Sequence, residues 1–302
     1  MTIADISAPA VNLETPNADI TSPEFVLVAS CPDQVGIIHA MSEFLSTRGY
    51  NIREHQQFDD VANGRVYIRT AFQAHSPVAL EDLEADFAPV AERFSMSFTI
   101  HDSKLPRVIV MVSKSGHCLN DLLFRWRSGE LHAEIAMVVS NHNDLRSMAE
   151  AAGLPFVYLP VEPSTKYLAE HRLLELVEEH DIDLVVLARY MQIFSDDTAA
   201  ALSGKAINIH HSFLPGFKGA RPYHQAKARG VKMIGATAHY VTGDLDEGPI
   251  IEQEVIRVNH TFDARALSQV GQTAECQALS RAVQWHCEHR VLLSEGSTIV
   301  FR

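Results

Sequence analysis

Residues 24–102 alternate between strand-like and helix-like spacings of hydrophobic positions. Apolar residues recur at helical spacing from Ile37 to Leu45, and the Asn-Gly pair at 63–64 supplies the turn chemistry of a hairpin. The predicted strands lie at 24–31, 51–61, 65–74 and 95–102, and the predicted helices at 35–49 and 78–94. The order βαββαβ predicts a ferredoxin-like domain over 23–102, although Pro89 leaves the end of its second helix open.

Beyond a short polar linker, 103–106, apolar runs alternate with amphipathic segments. The runs lack polar alternation, which is typical of strands covered on both faces of a parallel sheet. They lie at 107–114, 134–141, 155–161, 183–189 and 206–212, and helices are predicted at 117–129, 144–153, 166–180 and 195–204. Two further strands, at 233–241 and 250–258, precede a long helix from Phe262 to about His289. This order predicts an α/β domain over 107–302 with a doubly wound, mostly parallel sheet.

Composition and charge narrow the possible partners. The 302 residues include 25 Lys plus Arg and 38 Asp plus Glu, a net charge of -13, which repels phosphate backbones and anionic lipid surfaces. We therefore expect neither nucleic acid nor membrane as a partner. Four scattered cysteines and the lack of a signal peptide or long apolar run predict a cytoplasmic protein. The acidic segment 1–22 is predicted to be a flexible tail.

Polar side chains occur at two predicted strand ends, where ligands collect in open parallel sheets. Asn208 and His210 are two residues apart and therefore project from the same face of one strand. Asp244 and Asp246 follow the strand that contains His239. A structural, hydrogen-bonded histidine and a solvated turn would explain the same residues, and spacing alone does not separate these alternatives from catalysis.

Metal binding and phosphate binding are two further possibilities. The potential metal ligands are His210, His211, His224, His239 and Asp246. Adjacent histidines face opposite ways on a regular strand, so His210 and His211 could share an ion only if the strand had broken into a loop. The loop after the first parallel strand contains only Gly116, whereas nucleotide-binding loops need several glycines. A metal-dependent hydrolase is the weaker hypothesis, and no metal site is predicted.

Two long motifs resemble the folate-dependent formyltransferase family. They are AINIHHSFLPGFKGARPYHQA, from Ala206, and ATAHYVTGDLDEGPIIEQE, from Ala236. They combine Asn-x-His, Ser-x-Leu-Pro and a distant Asp-x-Asp-x-Gly turn. The segment LVVLARYMQIF, 184–194, is similar to that family's pterin-binding strand and loop. The resemblance extends from about Pro106 to the C-terminus. Separately, the first turn of the N-terminal unit, Cys31–Ile37, resembles an ACT domain, a small module commonly used to sense amino acids.

This resemblance implies a function. An ACT domain joined to such a catalytic domain, with His210-His211 where transferases usually have His-Pro, resembles the deformylase branch. That branch hydrolyses 10-formyltetrahydrofolate to tetrahydrofolate and formate, which supplies purine synthesis and balances the one-carbon folate pools. No cofactor and no metal are implied. The alternatives are a folate-dependent formyltransferase acting on an amine and a non-enzymatic sensor of folate or amino acids.

The resemblance also implies roles for individual residues. The implied catalytic residues are Asn208, His210 and Asp246, with Asp246 activating water while Asn208 and His210 stabilise the oxyanion. The implied substrate-binding residues are Leu187, Tyr190, Met191, Gln192, Ile193, Phe194, Val241, Thr242, Gly243 and Asp244. His211 is a further candidate, since it could shape the pocket for water; packing on a neighbour is its alternative role.

The N-terminal module implies assembly and regulation. ACT domains typically associate edge to edge and bind a small amino acid near that interface. We therefore expect a homo-oligomer, a dimer or a tetramer. The implied effector residues are Asp33, Gln34, Gly36 and Ile37. A module that serves assembly alone is the alternative.

Overall fold

The structure is a computed structural model that describes residues 24–216 and 222–302. Its first elements are β1 (Glu24–Pro32), α1 (Ile37–Thr47), β2 (Asn51–Asp60), β3 (Arg65–Gln73), α2 (Leu80–Arg93) and β4 (Ser97–His101). The four strands form one antiparallel sheet in the order β2-β3-β1-β4. This confirms the predicted ferredoxin-like fold. The predicted tail, 1–22, lies outside the described residues.

Alternating burial along β1 accounts for the core of this sheet. Phe25 and Leu27 belong to one buried cluster with Phe44 of α1 and Phe87 of α2. The rings of Phe44 and Phe87 meet edge to face, with centroids 5.0 Å apart. Helix α2 continues through Pro89 to Arg93. The end of this helix, which the proline had left undecided in the sequence, is therefore helical. The two helices therefore cover one face of the sheet.

The next elements form a seven-stranded sheet. They are β5 (Arg107–Val112), α3 (His117–Ser128), β6 (Glu134–Ser140), α4 (Arg146–Ala151), β7 (Phe156–Tyr158), α5 (Lys166–Glu179), β8 (Leu184–Leu187), α6 (Asp196–Ala201), β9 (Ala206–His210), α7 (Pro222–Arg229), β10 (Met233–Tyr240), β11 (Ile250–Arg257) and α8 (Ala264–Cys287). The strand order is β11-β10-β9-β8-β5-β6-β7. Strands β5 to β9 are parallel, whereas β10 runs antiparallel to both of its neighbours.

Both faces of this sheet are buried, as the unbroken apolar runs predicted. Val110 and Val186 belong to a cluster with helices α3 and α8, whereas Met111 and Val185 belong to a second cluster with α5. The doubly wound, mostly parallel sheet is therefore confirmed. Within the two described ranges, no helix is both long enough and apolar enough to cross a membrane.

Three local features differ from the sequence-based expectations. Helix α7 lies between two predicted strands, where no helix was predicted; of its mostly polar residues, Tyr223 and Ala226 are buried. Strand β9 ends at His210, two residues earlier than predicted. A C-terminal hairpin of β12 (Val291–Ser294) and β13 (Ser297–Val300) was not predicted, because its short strands become stable only by packing on another sheet.

That packing joins the two sheets. Tyr67 of β3 shares a buried cluster with Leu292 and Phe301, and its hydroxyl lies 2.6 Å from Ser294 Oγ. Arg69 Nη2 donates to the Glu288 carbonyl at 3.0 Å. The second face of β3 is therefore covered by the C-terminal end of the chain rather than by water.

Candidate active site

A cavity of about 460 Å³ lies beyond the carboxyl ends of β8 and β9. Its walls come from the segment after β8, the end of β9, and the end of β10 with the turn that follows it. The lining residues are Arg189, Tyr190, Met191, Gln192, Ile193, Phe194, Asn208, Ile209, His210, His211, His239, Val241, Thr242, Asp244, Leu245 and Asp246. The cavity combines apolar walls with titratable and amide groups, as ligand sites at this edge of α/β sheets do.

His210 and Asp246 form a buried pair in this cavity. His210 Nδ1 lies 3.1 Å from Asp246 Oδ1, and the two side chains are only 5% and 6% exposed. His210 Nε2 is buried and has no hydrogen-bond partner among the described residues. Because a carboxylate only accepts, Nδ1 carries the proton of this hydrogen bond. The second nitrogen is therefore left for a ligand.

The turn between β10 and β11 places Asp246 in this position. Asp246 itself has a left-handed φ of 58°, which Asp tolerates better than most residues. A Cβ atom on Gly248 would overlap the carbonyl oxygen of Tyr240, so only glycine fits there. The spacing of the Asp-x-Asp-x-Gly motif thus has a steric cause.

His239 joins Asn208 to the same group. Strands β9 and β10 pair so that Asn208 lies directly opposite His239. His239 Nδ1 donates to the Tyr240 carbonyl at 2.9 Å, which leaves its Nε2 to accept from Asn208 Nδ2 at 3.2 Å. That nitrogen is also 3.9 Å from Asp246 Oδ1. His239 was expected only as a possible metal ligand, since strand register is not visible in the sequence.

Burial and charge set the protonation of this cluster. Burial acts to raise the pKa of Asp246, but the hydrogen bond from His210 and the charges of His210, His239 and His211 hold that pKa below its usual value. Burial, and then the charge of Arg189, lower the pKa of His211 to about 4. Burial also lowers the pKa of His239, against the opposing effect of its backbone hydrogen bond. Near neutral pH, an ionised Asp246 thus lies beside the neutral imidazoles of His211 and His239.

A second polar network adjoins the cavity at Arg189, and sequence reasoning missed it. Glu275 of α8 accepts hydrogen bonds from His117 Nε2 at 2.7 Å and from the Tyr223 hydroxyl at 2.6 Å. Arg189 Nε lies 3.4 Å from the same carboxylate. Polar atoms of His117, Cys118 and Glu275 lie within 4.8 Å of one another, as in a metal site. The guanidinium beside Glu275 opposes a cation there.

The residues expected to bind substrate fall into two groups. Two of them do not line the cavity: Leu187 is buried in the core of β8, and Gly243 packs near Asp196, whose Oδ1 would lie 3.2 Å from a Cβ at that position. The others line it; they are Tyr190, Met191, Gln192, Ile193, Phe194, His211, Val241, Thr242 and Asp244. His210 and His211 both line the cavity, contrary to the opposite orientation expected of a regular strand, because β9 ends at His210.

Of the expected effector residues, Asp33, Gln34 and Gly36 lie between β1 and α1 and Ile37 is the first residue of α1; none of them lines this cavity. Gly36 has a φ of 101° and precedes the first residue of α1. Asp33 N donates to the Gly64 carbonyl at 3.0 Å, and Gln34 Nε2 donates to the Phe94 carbonyl at 3.3 Å. Ile37 is buried in the core of the sheet, so its side chain does not offer a surface to a ligand.

Comparisons with known proteins agree with this architecture. Residues 106–283 match the formyl transferase family. The chain is 50% identical over 279 residues to formyltetrahydrofolate deformylase from Corynebacterium sp. (strain P-1), covering 92% of this chain and 98% of that protein.

Two solved structures extend the comparison. A crystal structure of formyltetrahydrofolate deformylase from Burkholderia mallei has a TM-score of 0.87 at 49% identity and covers 92% of this chain and 99% of its own. Glycinamide ribonucleotide transformylase 1 from Symbiobacterium toebii has a TM-score of 0.62 at 28% identity and covers 66% and 95%. The similarity to the first protein thus spans both sheets, and this chain belongs to the formyltetrahydrofolate deformylase family.

Proposed function

We propose that this chain hydrolyses the formyl group of 10-formyltetrahydrofolate to give tetrahydrofolate and formate. The 3.1 Å contact between His210 and Asp246 inside an apolar-walled cavity is the observation that carries the proposal. Hydrolysis requires a base for water and donors for the oxygen that becomes negative. This cluster supplies a carboxylate, an amide and an imidazole at one place.

In the proposed mechanism, Asp246 orients a water and takes its proton as the water oxygen bonds to the formyl carbon. Its lowered pKa keeps Asp246 ionised and able to do so near neutral pH. Asn208 has one N–H held by His239, and its second N–H is free to stabilise the oxyanion. As the bond between the formyl carbon and N10 breaks, N10 receives the proton that Asp246 took from water, passed on through His210 or through a relayed water. No metal or cofactor takes part in these steps.

The proposed pterin pocket is formed by 190–194 and 241–244. Met191 and Ile193 are 57% and 55% exposed at the wall of the cavity. Exposed apolar side chains of this kind suit a flat heterocyclic ring, and backbone groups of the same segments can hydrogen-bond to its edge. Leu187 supports this wall from the core of β8. His211, held neutral by burial, is proposed to shape the water site.

An assay without any formyl acceptor tests the proposed function. The protein is mixed with 10-formyltetrahydrofolate in buffer, and formate and tetrahydrofolate are measured together. We expect the two products in equal amounts. Formate that appears only after an amine is added would identify a formyltransferase instead. Binding of a folate analogue without turnover would identify a sensor.

We also propose that 23–102 is a regulatory or assembly domain joined by the linker 103–106 to a catalytic domain, 107–302. The turn around Asp33, Gln34 and Gly36 supports an effector site at a homo-oligomer interface, since Asp33 and Gln34 are exposed and the backbone there is left-handed at Gly36. Thermal scanning with glycine, methionine and other amino acids tests the effector, and light scattering tests the oligomer. A melting temperature that no amino acid shifts would favour assembly alone.

A further inference from the structure

Arg189 is a buried cation at the wall of the active-site cavity. It lies two residues after the end of β8 and lines the cavity together with His210 and His211. Its side chain is 14% exposed, and its Nε and Nη1 atoms are buried without a hydrogen-bond partner in the described part of the chain. A guanidinium normally satisfies its donors when it is buried. Hydrogen bonds from Nε and Nη1 therefore do not explain why the guanidinium lies in this buried position.

The contact that Arg189 does make is with Glu275. The carboxylate is 1% exposed, and Arg189 Nε lies 3.4 Å from its Oε2 atom. That oxygen also accepts from His117, and Oε1 accepts from Tyr223. The carboxylate thus accepts hydrogen bonds from α3 and α7 and has the guanidinium beside it. Arg189 lines the cavity whereas Glu275 does not, and the charge of Arg189 balances the buried carboxylate.

We propose that the Arg189–Glu275 pair determines acceptor specificity by closing this side of the cavity to amines, so that water is the acceptor. The inference rests on the proposed function. An amine needs room beside the formyl carbon and an acceptor for its N–H groups, and Glu275 is already occupied. The guanidinium also repels a protonated amine.

Arg189→Gly is the variant that tests this role. The φ of 66° at Arg189 is left-handed, so glycine retains the backbone there without strain. Removing the side chain opens the wall and leaves the Glu275 carboxylate free to accept from an amine. An amine nitrogen then bonds to the formyl carbon, the bond from that carbon to N10 breaks, and N10 takes the proton that the amine loses.

The measured quantity is the ratio of formylated amine to formate. The wild type and Arg189→Gly are each given 10-formyltetrahydrofolate with hydroxylamine, and enzyme-free mixtures give the background. We expect the ratio to rise about tenfold or more in the variant, the scale of discrimination that a change of pocket shape produces. Wild-type formate release without hydroxylamine tests the proposed function by itself. The two ideas therefore fail separately.

Two further variants control the interpretation. Tyr223→Phe removes one hydrogen bond to Glu275 but keeps Arg189, and we expect its product ratio to match the wild type. Arg189→Gln keeps most of the side-chain volume without the charge, and we expect a smaller rise than in Arg189→Gly. Arg189→Gln also serves as the test if Arg189→Gly does not fold. Folding of each variant is judged by its melting curve and by its binding of a folate analogue. A wild-type ratio in each folded Arg189 variant would overturn the proposal.

Discussion

The molecule contains two cavities of similar size that each present three histidines. The active-site cavity, about 460 Å³, contains His210, His211 and His239. The second, called here the interface cavity, is about 400 Å³ and lies between the two sheets, where β4 and the linker meet the amino ends of β8 and β9. Its histidines are His101, His286 and His289. Histidine content alone does not distinguish these two regions.

The partners of the histidines do distinguish them. In the interface cavity, the rings of His101 and His289 stack with centroids 3.5 Å apart, and His286 Nδ1 lies 2.7 Å from the Tyr240 hydroxyl. Burial lowers the pKa of His289 to about 3 and that of His286 to about 4. In the active-site cavity, a carboxylate holds His210 while its second nitrogen is left for a ligand. Catalytic potential follows from this arrangement and not from the number of imidazoles.

The largest expected effect is on formate release, and it distinguishes the carboxylate of the active-site cavity from that of the interface cavity. We expect Asp246→Asn to lower the rate of formate release at least about 100-fold, because the base for water is lost. Asp183→Asn in the interface cavity should leave that rate near the wild-type value, since an amide oxygen can still accept from Arg107 N, now 2.7 Å from Asp183 Oδ2. Formate assays on both variants, with folate-analogue binding as the control for folding, make the comparison.

Two outcomes would contradict this prediction. Normal release by Asp246→Asn would remove this carboxylate from the mechanism. An equal loss in Asp183→Asn would show that the two cavities are coupled.

An intermediate effect is expected at the residue that orients Asn208. His239→Leu removes the acceptor at 3.2 Å from Asn208 Nδ2, so the amide is no longer held in one orientation. We expect kcat to fall up to about 100-fold with little change in KM, because misplacement of a catalytic group acts mainly on the transition state. His286→Leu is the matched control in the interface cavity and should leave kcat unchanged. A change in KM alone for His239→Leu would argue for substrate binding instead of positioning.

The smallest expected effect is on stability and arises in the interface cavity. The pKa of His289 is about 3 in the folded protein against a usual 6.5, so the unfolded chain binds more protons between these values. The free energy of unfolding should therefore decrease as pH falls below about 6.5. His289→Asn should flatten this dependence. Urea unfolding at several pH values measures it, and an unchanged slope in the variant would contradict the assignment.

Whether the sequence predicted a contact depends on whether the two residues lie on the same element or on elements distant in the sequence. Asn208 and His210 share a face because strands alternate every two residues, so their convergence was predictable. The contact of Asn208 with His239 depends on strand register, and Glu275 lies in a helix whose sequence gives no sign that the carboxylate is buried. The C-terminal hairpin was missed for the same reason, because its stability comes from β3. Local periodicity predicts elements, whereas long-range packing selects the partners.

The cover over β3 also bears on how the protein is made. Tyr67 is synthesised 227 residues before its partner Ser294, and Arg69 is synthesised 219 residues before the Glu288 carbonyl. During translation, this face of the first sheet therefore stays uncovered until residues 288–294 have left the ribosome. Ribosome pausing before those residues would prolong the time in which the Tyr67 side chain is open to aggregation.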